Sequence, residues 1–190
     1  MRSPRFAPAG LLVAHAGVRV MLDGGPGAEP TARLDAWLVT DARSELIAPI
    51  RRSAAARGLT PRVGALRRSG LVVEPRLVVH TTHPTYGYRI RAGRRTVVWA
   101  PEFLKFPAWA RQADLMFAEA AAWSRPIRFV GGVGGHAGVL TVAAAARRAG
   151  VKRLVFAHIG RPTLRALAEG MTAPFGSFAA DGQVFVLAHR

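Results

Sequence analysis

From residue 107 onward the chain alternates apolar strands with helices, and this alternation constrains the fold more than any other feature. Residues 115–118 read as a strand, and 139–149 as a helix closed by Gly150. Residues 151–157 read as a buried strand, and Pro162 opens a last helix that runs to Gly170. Such units need a sheet with helices packed on it. Earlier, strands dominate. Residues 10–13 and 18–22 are short strands joined near Gly17, and the run Asp23-Gly24-Gly25-Pro26-Gly27 is a turn or loop. A strand over 34–39 precedes a helix over 45–57 that ends at Gly58. Residues 71–73 and 77–79 are short strands split by Pro75, and 86–90 with 96–99 form a hairpin around Gly93. Residues 108–112 make one helical turn, and 183–188 a final strand. Neither a linker nor a repeat interrupts this order. The 190 residues therefore read as one layered α/β domain, with 1–9 as a loose N-terminal arm. Periodicity alone does not choose among α/β folds.

Composition removes several classes of chemistry. With no cysteine, disulfides, thiolate zinc sites and cysteine nucleophiles are excluded. The apolar run over 11–16 is too short for a signal peptide or a membrane span, so a cytoplasmic protein with no membrane partner is expected. The formal charge of +16 suits a polyanionic partner, and nearly all of the surplus is arginine, Lys105 and Lys152 being the only lysines. A cluster of Arg43, Arg51, Arg52, Arg57, Arg62, Arg67 and Arg68 is either a solvated face or a phosphate-binding rim. The glycine run 131–135 precedes a helix and suits an anion at its N-terminus, but it lacks the dinucleotide fingerprint and any Walker lysine.

Seven segments carry a resemblance. Leu38-Val39-Thr40-Asp41-Ala42-Arg43-Ser44-Glu45-Leu46 follows a strand and opens a helix, and Leu22-Asp23-Gly24-Gly25 precedes it. His80-Thr81-Thr82-His83-Pro84-Thr85-Tyr86-Gly87-Tyr88 leads into a strand, and Trp99-Ala100-Pro101-Glu102 ends one. Ala113-Asp114-Leu115-Met116-Phe117-Ala118-Glu119-Ala120 pairs with a later Gly135-His136. Arg153-Leu154-Val155-Phe156-Ala157-His158 closes the series. In order and spacing these resemble the metallo-β-lactamase-fold hydrolases, nearest the RNA 3′-processing and phosphodiesterase branch, across roughly residues 10–165. The resemblance implies an αββα sandwich that begins a strand or two late. In the Thr-His-x-His-x-Asp-His motif of that family, all four ligands are replaced here, by Asp41, Arg43, Glu45 and Leu46.

The family's chemistry sets the remaining expectations. Two zinc ions need about seven ligands from loops at one sheet edge. This chain offers Asp41, His80 or His83, Glu102 at the bridging position, His158, and Glu45. That oxygen-rich set suits one Mn²⁺, Mg²⁺ or Fe²⁺ better than two zincs. Arg43 opposes a second ion, and an Arg43 ion pair with Glu102 or Glu45 would make the site metal-free. The resemblance implies that Glu119 and His136 assist proton transfer, while Arg43 and Arg161 contact a phosphate. The expected activity is metal-dependent hydrolysis of a phosphodiester or phosphorylated small molecule. The alternative is a metal-free pseudoenzyme that binds nucleic acid or nucleotide, and a homodimer is compatible with either. Each histidine also has a plain role open to it: His80, His83 and His158 as hydrogen-bonded strand-end residues, and His136 as a helix cap.

Overall fold

Two facing sheets make up the centre of the computed structural model, which describes residues 7–187. The smaller contains β1 (Gly10–His15), β2 (Val18–Asp23) and β3 (Ala36–Leu38); β1 runs antiparallel and β3 parallel to β2. After α1 (Ile47–Ala55) come β4 (Leu66–Arg68), β5 (Leu71–Val78), β6 (Thr85–Ala92), β7 (Arg95–Ala100) and β8 (Leu115–Ala120). A short ribbon of β9 (Ile127–Arg128) and β10 (Gly135–His136) leads to α2 (Val139–Arg148), β11 (Leu154–Ile159), α3 (Arg161–Ala168) and β12 (Ser177–Phe178). The larger sheet has the order β12-β11-β8-β7-β6-β5-β4. The four strands from β12 to β7 are mutually parallel, and β6, β5 and β4 continue as antiparallel hairpins.

The layers follow from two-residue periodicity, since successive side chains leave opposite faces of a strand. Leu115, Phe117, Val155 and Trp99 point inward, where they meet Val18, Val20, Leu22 and Leu38 of the small sheet. Val98, Met116, Ala118, Leu154 and Phe156 alternate with them and pack outward against Val139, Val142, Ala143 and Ala146 of α2. On the far side, Ile50 and Ala54 of α1 bury Met21, Trp37 and Val39. The result is helix, sheet, sheet, helix. Strands buried on both faces are apolar at nearly every position, and for that reason β8 and β11 read so clearly in the sequence.

Some sequence expectations are corrected. The helix after β3 starts two residues late and ends two early, at Ile47 and Ala55. Residues 71–78 form one strand rather than two. Pro75 is tolerated there because β4 pairs only with Leu71–Val73, leaving Pro75 with one strand neighbour, Tyr88 on β6. The final strand is β12; residues 183–187 are not a strand, and Ala188 lies outside the described residues, as does most of the expected arm over 1–9. The segment 183–187 does alternate, burying Phe185 and Leu187 against the inner core, and this pairing produced the strand-like pattern.

Parallel strands bring their C-terminal ends to one edge. Glu102 follows β7, Glu119 lies near the end of β8, and His158 near the end of β11. Asp41 follows β3, while His80 and His83 occupy the connection from β5 to β6. The topology thereby gathers residues far apart in sequence.

Candidate metal centre

Three imidazoles are held by the same nitrogen. His80 Nδ1 lies 3.0 Å from the carbonyl of Gly135. His136 Nδ1 lies 2.8 Å from Glu119 Oε2, and His158 Nδ1 lies 3.3 Å from Glu119 Oε1. A carbonyl or carboxylate oxygen only accepts, so each Nδ1 carries a proton and donates, which leaves Nε2 of each ring as the atom turned toward the site. The rings are neighbours: His80 and His136 are 4.8 Å apart between centroids, and His136 and His158 are 5.3 Å apart. Phe129 sets its edge against both His80 and His136 at 5.4 Å and forms an apolar wall.

Glu119 is the bracket that fixes this arrangement. It is fully buried, and each oxygen accepts two hydrogen bonds. Oε1 takes Ala121 N–H (2.8 Å) and His158; Oε2 takes Phe103 N–H (3.0 Å) and His136. Burial alone would raise its pKa, but hydrogen bonds from His136 and His158 and their charges hold it below the usual carboxylate range. Single atoms of Glu119, His136 and His158 come within 4.8 Å of one another, a spacing one ion could bridge. Glu119 is nevertheless the wrong ligand, because its four acceptor positions are already used. Its bond to Phe103 N–H instead anchors the loop that carries Glu102.

Glu102 faces two of these nitrogens. Its Oε2 is 3.4 Å from His80 Nε2, and its Oε1 is 3.2 Å from His158 Nε2. With Nδ1 protonated on both rings, this would set acceptor against acceptor unless a cation intervenes, either a proton on Nε2 or a metal ion. Burial would lower the His158 pKa, but the Glu119 hydrogen bond and the charges of Glu102 and Glu119 win and push it up to about 9. The donor set, two imidazole nitrogens fixed through Nδ1 and one carboxylate, fits a divalent ion of the zinc, manganese or iron type.

The other half of the edge is arranged differently. His83 Nε2 sits 3.0 Å from both Asp41 oxygens, and Asp41 Oδ1 also accepts the Arg43 N–H at 2.7 Å. His80 therefore joins Glu102 and His158, whereas His83 pairs with Asp41. Arg43 and Glu45 are exposed in the loop before α1, and Arg161 is exposed at the start of α3. The glycine run clamps His80. Gly135 N–H donates to the His80 carbonyl at 2.7 Å, and a Cβ on Gly134 would lie 1.9 Å from that oxygen. With φ at +85° and +138°, Gly134 and Gly135 are needed for backbone approach.

Asp23 was not singled out as a site residue in the sequence, although it holds the edge together. Its Oδ1 accepts Thr40 N–H (2.7 Å) and its Oδ2 accepts Trp99 Nε1–H (2.7 Å), tying β2 to the chain just before Asp41 and to β7 just before Glu102. The Asp-Gly-Gly turn after an apolar strand was its only signal. Burial pushes its pKa up to about 6 against the hydrogen bonds from Trp99 and Thr40, with the Glu102 charge adding to the rise. The ordinary value is 3.8, so between about pH 4 and about pH 6 the folded state holds a proton the unfolded state has lost. Asp23 thus contributes stability that is full below this window and lost as pH rises through it. From about pH 4 to about pH 7, the unfolding free energy of the native protein should fall by on the order of 2–3 kcal/mol more than that of Asp23→Asn. Parallel urea-unfolding profiles for the two proteins would contradict this.

Among curated proteins, none matches this chain. Solved structures do. The metallo-beta-lactamase fold protein YhfI from Bacillus subtilis aligns at a TM-score of 0.73 and 18% identity, over 97% of this chain and 94% of its own. A diphosphatase from the PhnP family aligns at 0.70 and 18%, over 94% and 85%. Human tRNase Z, short form, aligns at 0.60 and 15%, over 94% and 92%. At these identities the likeness is one of fold, and it is the metallo-β-lactamase fold. The family model described as "Beta-lactamase superfamily domain" matches residues 12–159 and takes in every residue of the histidine and carboxylate edge, so the chain belongs to that family.

Proposed function

We propose that the protein is a hydrolase that works with a single divalent ion, acting on a phosphodiester. One observation carries this reading: His80 and His158, both fixed through Nδ1, turn Nε2 toward the two oxygens of Glu102. These three residues would hold the ion. When bound, it supplies positive charge that polarises a phosphoryl oxygen and acidifies the attacking water.

The chain's own residues do the rest. Glu119 fixes His158, His136 and, through Phe103 N–H, the Glu102 loop, which limits rearrangement during the reaction. His136 presents Nε2 beside the other two rings. Protonated there, it delivers a proton to the departing alkoxide, while Glu119 stabilises the imidazolium. Arg43, in the loop before α1, and Arg161, at the start of α3, are assigned to the phosphate oxygens, for which guanidinium forks are suited. Phe129 keeps one wall of the site apolar. The diphosphatase and tRNase Z among the structural neighbours support a phosphorus centre.

The Asp41–His83 contact favours a second reading, a metal-free binding protein for nucleic acid or nucleotide, since it closes half of the edge without any ion. The two readings differ in a direct assay. Hydrolysis of bis(p-nitrophenyl) phosphate should be lost on chelation and return on adding back Zn²⁺, Mn²⁺ or Fe²⁺. Activity indifferent to chelator would reject the ion, and none with any ion would reject the hydrolase.

A further inference from the structure

The geometry points to a nucleic-acid-binding cleft at the end of the large sheet opposite the histidine cluster, built to hold the phosphate backbone of a single strand. The placement follows from topology. Arg95 starts β7, Asp114 immediately precedes β8, and Lys152 comes just before β11; these strands are parallel, and their other ends carry Glu102, Glu119 and His158. Glu102 comes six positions after Thr96, so the two ends lie about 20 Å apart along the strand.

A cleft of about 670 Å³ opens here, where Arg89, Arg94, Arg95 and Lys152 face the single carboxylate of Asp114. Asp114 does not neutralise them all. It accepts hydrogen bonds from Lys152 Nζ (2.8 Å), Arg95 (3.3 Å) and Thr96 N–H (2.8 Å), so it serves to hold two cations at the rim. Arg89 adds an unusual feature: its Nε is buried and donates to nothing among the described residues. Arg89 also lines the cleft, where its guanidinium can offer N–H donors to a phosphate oxygen. Gly93, at φ 56°, turns the β6–β7 hairpin in two residues and leaves Arg94 at the exposed tip. Beyond the cleft, exposed Arg147 and Arg148 end α2 and exposed Arg111 precedes Gln112, extending the positive rim.

The shape selects the ligand. An enclosed pocket with convergent donors would take one small anion. This cleft is wide and open, and its cations come from β6, the β6–β7 turn, β7 and the segment before β11. Such cations hold a single phosphate weakly in salt, but a polyanion that spans them gains from each counterion released. The inference stands apart from the hydrolytic reading, since none of these residues belongs to the histidine edge.

The test is fluorescence anisotropy of a labelled single-stranded oligonucleotide across a salt series, with the native protein and Arg94→Gln/Arg148→Gln. Both side chains are exposed, and retained circular dichroism and melting temperature will verify folding. The native protein should bind with a steep salt dependence. The double variant should bind about tenfold more weakly, with the slope of log K against log salt reduced by about 1–1.5. Hydrolysis of bis(p-nitrophenyl) phosphate should be the same in both proteins, so a failure of the hydrolytic reading stays separate from a failure of this one. Absent binding, unchanged affinity and slope in the variant, or full displacement of the bound oligonucleotide by one equivalent of pyrophosphate would each overturn the cleft.

Discussion

Replacing Glu119 by alanine is expected to cost about 3–5 kcal/mol of stability, the largest loss of any single substitution at the site. The expectation rests on accounting for four donors. Phe103 N–H, Ala121 N–H, His136 Nδ1–H and His158 Nδ1–H all end on this carboxylate, and two of them are backbone groups that no rotamer change can turn away. Truncation leaves buried donors without acceptors and opens a cavity beside Phe103. Glutamine in its place would still be poor, because its NH₂ would face two donors where the carboxylate offers only acceptors. Urea denaturation reads this out directly. A loss under about 1 kcal/mol would show that the bracket is not what holds the loops.

His158→Ala is expected to leave the fold intact and remove the activity. The side chain sits at the end of β11, partly exposed, so its truncation takes little from the core. It does remove one of the two fixed nitrogens facing Glu102. An incomplete donor set loses the ion, and charge stabilisation by such an ion is worth several kcal/mol in the transition state, or about 10²–10⁴ in kcat. His83→Ala is the contrast. His83 pairs with Asp41 rather than Glu102, so its removal should lower kcat far less than loss of His158. Equal losses in the two variants would mean that both halves of the edge serve one centre.

The layered fold was legible because its strands are buried on both faces. Residues 115–118 and 154–157 are apolar at every position, and Gly150 and Pro162 mark helix ends that the structure keeps at Arg148 and Arg161. The tail was misread for a related reason: one alternating face, Phe185 and Leu187, packs on the core without strand pairing. At the site, residue types were legible but partners were not. Sequence left His80 and His83, three positions apart, open for one role, since the spacing of this segment departs from the family's by a residue or so. The structure gives them different carboxylates, because Gly134 and Gly135 clamp the backbone and ring of His80. The buried bracket at Asp23 and the ion pairs of Asp114 depend on contacts between residues 17 to 76 positions apart, which no local pattern carries.

The central claim is that one divalent ion sits between His80, Glu102 and His158. Its most direct test is elemental mass spectrometry on untagged protein purified without chelator, comparing the native chain with His158→Ala. Close to one equivalent of Zn, Mn or Fe is expected in the native protein and almost none in the variant. No bound metal in either protein, even after incubation with each ion, would contradict it and leave the metal-free binding protein as the reading of this site.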